Sequence, residues 1–299
     1  MKVDEYGTGQ LHTEIFATED NCFLWRRRHL VGGTATAVAV GIRDAEFLDS
    51  SPHLAVGRPD GDTVVYTAPG SRSLARIIWP PAPAQLPPTA AMTTVGRALR
   101  DLNACTTPLT APGPPPALGR LSRWLRTGDG KDGAARLHQL CTDRMGPTQL
   151  RTLDDWCHAA SAGTTGHVLL HGEPSLGLVV PGPDGHDTVL LTGESLCHGR
   201  PEHDMGWLLG ELAEMADVAA RHLPDGTTTP FAAMAEALSA GRDWTPDPVL
   251  LGRTATLRRM AHLVDFAGHV GWSDGITGYV DTLAALVGDD GRTVLSPLQ

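Results

Sequence analysis

Between residues 167 and 211 the chain alternates apolar and polar stretches in an order that few folds accommodate: HVLLHGEPSLGLVVPGPDGHDTVLLTGESLCHGRPEHDMGWLLGE. Strand-like stretches at 167–171, 178–181 and 187–191 are separated by a polar loop and by the turn Pro181-Gly182-Pro183-Asp184-Gly185. A second polar loop follows, and then a helix opened by Asp204. Leu208, Leu212, Met215 and Ala219 form its apolar stripe at helical spacing over 204–222. Two polar loops at the same end of a hairpin can bring several acids to one point, here Glu173 and Glu194. Converging carboxylates suit a site that holds Mg²⁺ with nucleotide phosphates while one acid orients an attacking hydroxyl.

The surrounding chain fixes how this unit is framed. The first seventy residues read mainly as β, with strands at Leu11 to Phe16, Cys22 to Trp25 and Asp62 to Tyr66 and a helix from Ala35 to Phe47. The break Thr67 to Leu74 carries Ser73, which is suited to cap a helix. Two proline-rich stretches, 79–88 and 108–119, flank a helix at Met92 to Leu102 and read as stiff connectors. Beyond them the pattern is mostly helical, at 117–127, 132–144, 147–161, 204–222, 229–240, 250–269 and 276–287. The reading is an α+β, two-lobed chain, with a small β-rich part over 1–69 and a larger helical part over 70–299.

Composition narrows the function classes. The 299 residues carry a formal charge of −10, and all but Lys2 and Lys131 of the 24 basic residues are Arg. An acidic chain whose one basic run is Arg26-Arg27-Arg28 argues against general nucleic-acid binding. Five cysteines without a CxxC pair and no secretory leader predict reduced thiols in the cytoplasm. The longest apolar stretch is too short for a membrane span of roughly 20 residues. His167 and His171 lie on an apparent strand and do not form a zinc pair, and neither a P-loop nor a GxSxG elbow is present.

The motifs of 167–211 resemble those of the aminoglycoside phosphotransferase-like enzymes of the protein-kinase-like fold. That family's His-Gly-Asp, four residues, Asn is matched by His171-Gly172-Glu173 and, at the Asn position, Leu178. Its strand ending in Asp and its helix opened by Asp are matched by Leu190 to Glu194 and by Asp204-Met205-Gly206-Trp207. Thr67 to Leu74 is similar to its hinge, and Phe23-Leu24-Trp25-Arg26-Arg27 to its third strand. The resemblance implies a two-lobed kinase-like fold using ATP or GTP with Mg²⁺. It implies Arg26 as the phosphate-binding base, with Arg27 or Arg28 as alternatives, and Glu46 as the acid paired with it. Glu173 is then the catalytic acid, His171 a loop brace or alternative base, Glu194 with Thr192 the metal ligands, and Asp204 a structural brace. Gly7 and Gly9 would form a phosphate-covering turn.

Three departures bear on activity. Glu173 is a conservative change from Asp, Leu178 has no ligand atom, and the metal-binding acid falls on Thr192, with Glu194 two residues on and on the same face of an extended chain. The expected function is therefore a phosphotransferase acting on a hydroxyl acceptor. The acceptor is either Ser/Thr of a natural-product precursor peptide, later eliminated by a partner lyase, or an aminoglycoside-type small molecule. The alternative is a pseudokinase serving as a binding or scaffold subunit.

Overall fold

A computed structural model of the chain describes residues 1–30, 48, 51–79, 88–106, 113–162, 166–224 and 226–299. The helix expected over Ala35 to Phe47, with Glu46, and most of the proline-rich connectors lie outside them.

The chain opens with an antiparallel sheet. Strands β1 (Lys2–Gly7), β2 (Leu11–Ala17) and β3 (Phe23–His29) are followed by β5 (Arg58–Asp60) and β6 (Thr63–Ala68), in the order β1-β2-β3-β6-β5. The third strand runs four residues beyond the stretch expected from apolar content, through the whole Arg run. It can do so because β2 and β6 pair with it on both edges, Arg27 standing opposite Thr13 and Val64. Alternation places Trp25 and Tyr66, both buried, with Ile15 and Val64 in a small core beneath the sheet.

The short strand β4 (Leu54–Val56) departs from this sheet. It pairs in parallel with β9 (Val189–Thr192), whose other edge takes β8 (Val179–Val180), while β7 (Val168–Leu170) pairs with β10 (Cys197–Gly199). A piece of the first 69 residues is thus hydrogen-bonded to the hairpin that carries the second polar loop. Gly57 N–H extends the pairing by donating to the Thr192 carbonyl at 2.9 Å.

Helices supply the rest: α1 (Leu74–Ile78), α2 (Pro88–Ala104), α3 (Pro116–Thr127), α4 (Asp132–Ser161), α5 (Glu202–His222), α6 (Phe231–Ala240), α7 (Pro248–His269) and α8 (Gly275–Gly288). The helices expected at 132–144 and 147–161 meet at Gly146, whose φ of 74° breaks α4 ahead of Pro147; Pro lacks the N–H an uninterrupted helix needs there. One apolar core joins α2, α5 and α6 to the β8–β9 hairpin, and a second joins α3, α4, α7 and α8. The two-lobed α+β architecture expected from the sequence is the one observed. Among the described residues no helix is long and apolar enough to cross a membrane.

The two parts are joined at a tight hinge. Trp25 Nε1 donates to the Gly70 carbonyl at 2.9 Å, which ties the hinge to the sheet. A Cβ on Gly70 would lie 2.0 Å from the Pro181 carbonyl oxygen, so only glycine lets the hinge backbone approach the hairpin this closely. Ala75 N–H, at the start of α1, then donates to Leu176 in the first polar loop at 3.0 Å.

Candidate active site

The two polar loops lie against each other. Gly172 has a φ of 93°, and a Cβ there would fall 2.0 Å from the Ser195 carbonyl oxygen. Glycine therefore satisfies both a backbone conformation and a contact that any side chain would break. The loop that carries Glu173 is so brought beside the loop that carries Glu194.

Asp204 holds the first loop from below. Its two carboxylate oxygens accept the backbone N–H groups of His171, at 2.7 Å, and Gly172, at 2.9 Å. Burial raises its pKa to about 7 even though both bonds favour the carboxylate. His203 adds a third tie by donating from Nε2 to the Gly172 carbonyl at 2.8 Å, its ring lying over Trp207. Burial lowers the His203 pKa to about 4, which keeps the ring neutral. Glu211 accepts from Leu176 N–H at 3.1 Å, so α5 grips the loop at several points.

His171 faces inward. Its Nε2 donates to the Leu191 carbonyl at 2.8 Å, linking the two loop-bearing strands, and burial lowers its pKa. A neutral ring bonded to a carbonyl braces the loop, and Nδ1, hidden from solvent, has no hydrogen-bond partner among the described residues.

Glu173 is a quarter exposed and meets Arg120 of α3, whose Nη2 lies 2.9 Å from both carboxylate oxygens. This partner was not anticipated. It comes from a helix fifty-three residues earlier, and no local motif announces it.

Glu194 is engaged through both carboxylate oxygens. One oxygen accepts from Arg27 and from the Tyr66 hydroxyl, and the other pairs with His29 Nε2 at 2.7 Å. Burial would raise its pKa, but Arg27, with the hydrogen bonds from His29 and Tyr66, holds it at about 2. Arg27, His29 and Tyr66 all project from the β3–β6 pair, so Glu194 ties the second polar loop to the sheet.

The arginines named for the phosphate-binding base do not share one face of β3. Arg26 points to the opposite, solvent side of β3, where it pairs with exposed Asp60 at 3.2 Å. Arg27, on the same side of the strand as Trp25, is the arginine that faces the cleft. Glu46, the expected partner of that base, lies outside the described residues; within them the acid on Arg27 is Glu194.

Thr192 and Leu178 complete the comparison with the expected site. The Thr192 hydroxyl is buried and donates to the Leu190 carbonyl of its own strand at 3.0 Å. Leu178 packs against both the hairpin core and the core under the sheet.

The turn between β1 and β2 reaches α7, where Gln10 Nε2 donates to Asp265 at 3.1 Å and Gly9 abuts His269. Gly7 and Gly9, expected to cover phosphates, therefore belong to a turn that bridges the sheet to the helical part.

Among the described residues no three His, Cys, Asp or Glu side chains converge as a ready-made metal cage. Mg²⁺ is commonly held by one or two carboxylates, with phosphates and water completing its shell. Glu194, with Glu173 on the adjoining loop, fits that donor chemistry for a cation arriving with a nucleotide.

No protein-family model matches the sequence, and no curated protein is similar to it in sequence at a significant level. Solved structures are similar in shape. Amicoumacin kinase hAmiN, in complex with AMP-PNP, Ca²⁺ and Ami, superposes with a TM-score of 0.60 at 10% identity, over 96% of this chain and 88% of that one. The fold is that of the aminoglycoside phosphotransferases and related small-molecule kinases. A microcompartment-associated aminopropanol kinase gives a TM-score of 0.58 at 14% identity, over 98% and 94% of the two chains. Spectinomycin phosphotransferase APH(9)-Ia, in complex with ADP and spectinomycin, gives 0.55 at 9%, over 96% and 92%. At such identities the likeness is one of fold.

Proposed function

We propose that the protein is a kinase-type phosphotransferase that binds ATP or GTP with Mg²⁺ in the cleft and transfers a phosphoryl group to a hydroxyl acceptor. The observation that carries this reading is the meeting of Arg27 and Glu194 across the cleft, beside the loop of Glu173. A guanidinium can fork onto phosphate oxygens, and carboxylates on adjoining loops support one role toward a cation and one toward an acceptor hydroxyl.

In this reading Arg27 takes the nucleotide phosphates, Glu194 holds the cation, and Glu173 orients the acceptor hydroxyl. The cation, when bound, neutralises charge on the transferring phosphoryl group. Asp204, His171 and His203 keep the loop in place, and catalysis is by positioning and charge balance. The acceptor we propose is a hydroxyl of a natural product, either a small molecule or Ser/Thr of a precursor peptide whose phosphate a partner lyase then eliminates. The neighbours solved with AMP-PNP or ADP support the nucleotide, and their small-molecule ligands support the first acceptor class.

One second reading has its own support. Leu178 and the fully paired Glu194 are what a pseudokinase retaining the fold as a binding or scaffold subunit would show. Thermal unfolding with ATP or GTP, with and without Mg²⁺, separates the two, because a bound ligand raises apparent stability by mass action. The transferase reading expects stabilisation that grows with Mg²⁺. Nucleotide stabilisation indifferent to Mg²⁺ favours the pseudokinase, and no stabilisation under any condition overturns the nucleotide-dependent reading.

A further inference from the structure

Glu173 raises a problem that its neighbours solve. A glutamate is one methylene longer than an aspartate and has one more rotatable bond, so a Glu in this loop needs an external restraint to hold its carboxylate in one place. The loop does not supply it: Pro174 follows directly, and the backbone N–H groups of His171 and Gly172 are already given to Asp204. Arg120 does supply it. Its Nη2 sits 2.9 Å from both Glu173 oxygens, and the helix that carries it is anchored by Ala117, Leu118, Leu121 and Trp124 in the second core.

Charge gives the same answer. Arg27 is engaged by Glu194, so a nucleotide's terminal phosphate approaching Glu173 would meet an uncompensated carboxylate unless a second cation stood beside it. Among the described residues Arg120 is the cation on Glu173. More than half of its side chain is exposed, so part of the guanidinium is free of Glu173.

We propose that Arg120 is a positioning residue for the transfer, fixing the carboxylate of Glu173 and offsetting its charge as the phosphoryl group arrives. The proposal rests on the transferase reading above. In the step it serves, the acceptor oxygen forms a bond to the terminal phosphorus. The bond from that phosphorus to the leaving diphosphate oxygen breaks, with the electron pair departing on the diphosphate. The acceptor proton passes to Glu173.

The test uses the full chain with Mg-ATP, with water standing in for the acceptor and phosphate release as the signal. Wild type is compared with Arg120→Ala, Arg120→Lys, Glu173→Gln and the Arg120→Ala/Glu173→Gln pair. A displaced catalytic group costs about 10²-fold, so Arg120→Ala is expected to lower kcat by about that factor while KM for Mg-ATP changes little. Arg120→Lys should recover part of the loss, since an ammonium restores charge without the fork. The double variant should be no worse than Glu173→Gln alone, because the two residues act as a unit. Side-chain ¹⁵N NMR gives a readout independent of turnover: the Arg120 guanidinium should rotate slowly in the wild type and freely in Glu173→Gln.

Arg120→Ala with wild-type kcat, losses that add in the double variant, or an Arg120 signal unaffected by Glu173→Gln would each overturn the proposal and leave the transferase reading standing. A wild type that gains no thermal stability from ATP or GTP, with or without Mg²⁺, removes the transferase reading, and this proposal with it. One that binds Mg-ATP but does not transfer to water leaves the NMR readout to decide between an Arg120 held by Glu173 and one that is not.

Discussion

Asp204 offers the most direct physical test of the site, because its two hydrogen bonds and its titration make separate demands. It is almost wholly buried and accepts two backbone N–H groups, from His171 and Gly172. Replacement by Ala orphans both donors, at about 1–3 kcal/mol each, a large part of the roughly 5–15 kcal/mol that stabilises a typical protein. Asp204→Asn is the more instructive change, since it keeps the shape and one carbonyl acceptor but cannot ionise. Burial lifts the Asp204 pKa from an ordinary 3.8 to about 7. Between those values the folded chain keeps a proton that the unfolded chain has released. Asp204's contribution to stability therefore declines as pH rises through that window, by an amount on the order of 4 kcal/mol.

The assay is urea unfolding, followed by circular dichroism, of wild type and Asp204→Asn from pH 4 to pH 8. The two proteins share every other titrating group, so their difference in unfolding free energy isolates Asp204. Wild type should be favoured most near pH 4 and lose ground to Asp204→Asn steadily toward pH 8. A difference that does not change with pH would refute the argument that burial, rather than the two N–H bonds, sets the protonation of this acid.

Three further outcomes are expected. Glu194→Gln leaves Arg27 in the cleft without its counter-charge and should cost about 3–5 kcal/mol in urea unfolding; a loss under about 1 kcal/mol, the range of a solvent-exposed pair, would mean Glu194 is not a buried partner. Against burial, which would raise them, Glu194 and Glu214 are both held at about 2 rather than an ordinary 4.5, Glu194 by Arg27, His29 and Tyr66 and Glu214, on α5, by His262, Arg258 and Tyr279. Their stabilisation is complete above pH 4.5 and lost as pH falls toward 2, so Glu194→Gln should flatten the acid limb of the stability curve. Gly172→Ala must escape both a φ of 93° and a 2.0 Å contact with Ser195, so its Tm should fall by roughly 5–10 °C; an unchanged Tm would show that the two loops separate freely.

Much of this arrangement was legible in the sequence, and the reason is local. The loop–hairpin–loop–helix order of 167–211 follows from alternation, turn residues and one helical stripe, none of which needs knowledge of the rest of the chain. That Arg26 and Arg27 face opposite sides of the strand was legible in the sequence itself. Trp25 is the residue of that run most suited to burial, and a period of two puts Arg27 and His29 on its side of the strand. The Leu54–Val56 strand is three residues long and finds its partner 136 positions later, too short a signal for periodicity to register. Arg120 was invisible for the opposite reason. It lies on a plainly helical stretch, but which exposed side chain of that helix meets Glu173 depends on how α3 packs in the second core.

The departures at Glu173, Leu178 and Thr192 can then be read together. Leu178 joins the two cores across the hairpin, and its carbonyl accepts Leu191 N–H at 2.9 Å. A polar side chain there would be partly buried among leucines and valines and would need a partner that neither core supplies. Thr192 is likewise absorbed, its carbonyl into the pairing with Gly57 and its hydroxyl into its own strand. Two positions where a ligand is expected have thus become structural ties between the sheet and the helical part. Glu173 and Glu194 supply the carboxylates, each paired with a guanidinium carried by a different element. Such a site is neutral in the absence of phosphates. In the proposed reading Arg27 exchanges its carboxylate for a phosphate oxygen while Arg120 keeps Glu173 in place, which would let the chain accept a highly charged ligand without a preformed cage of acids.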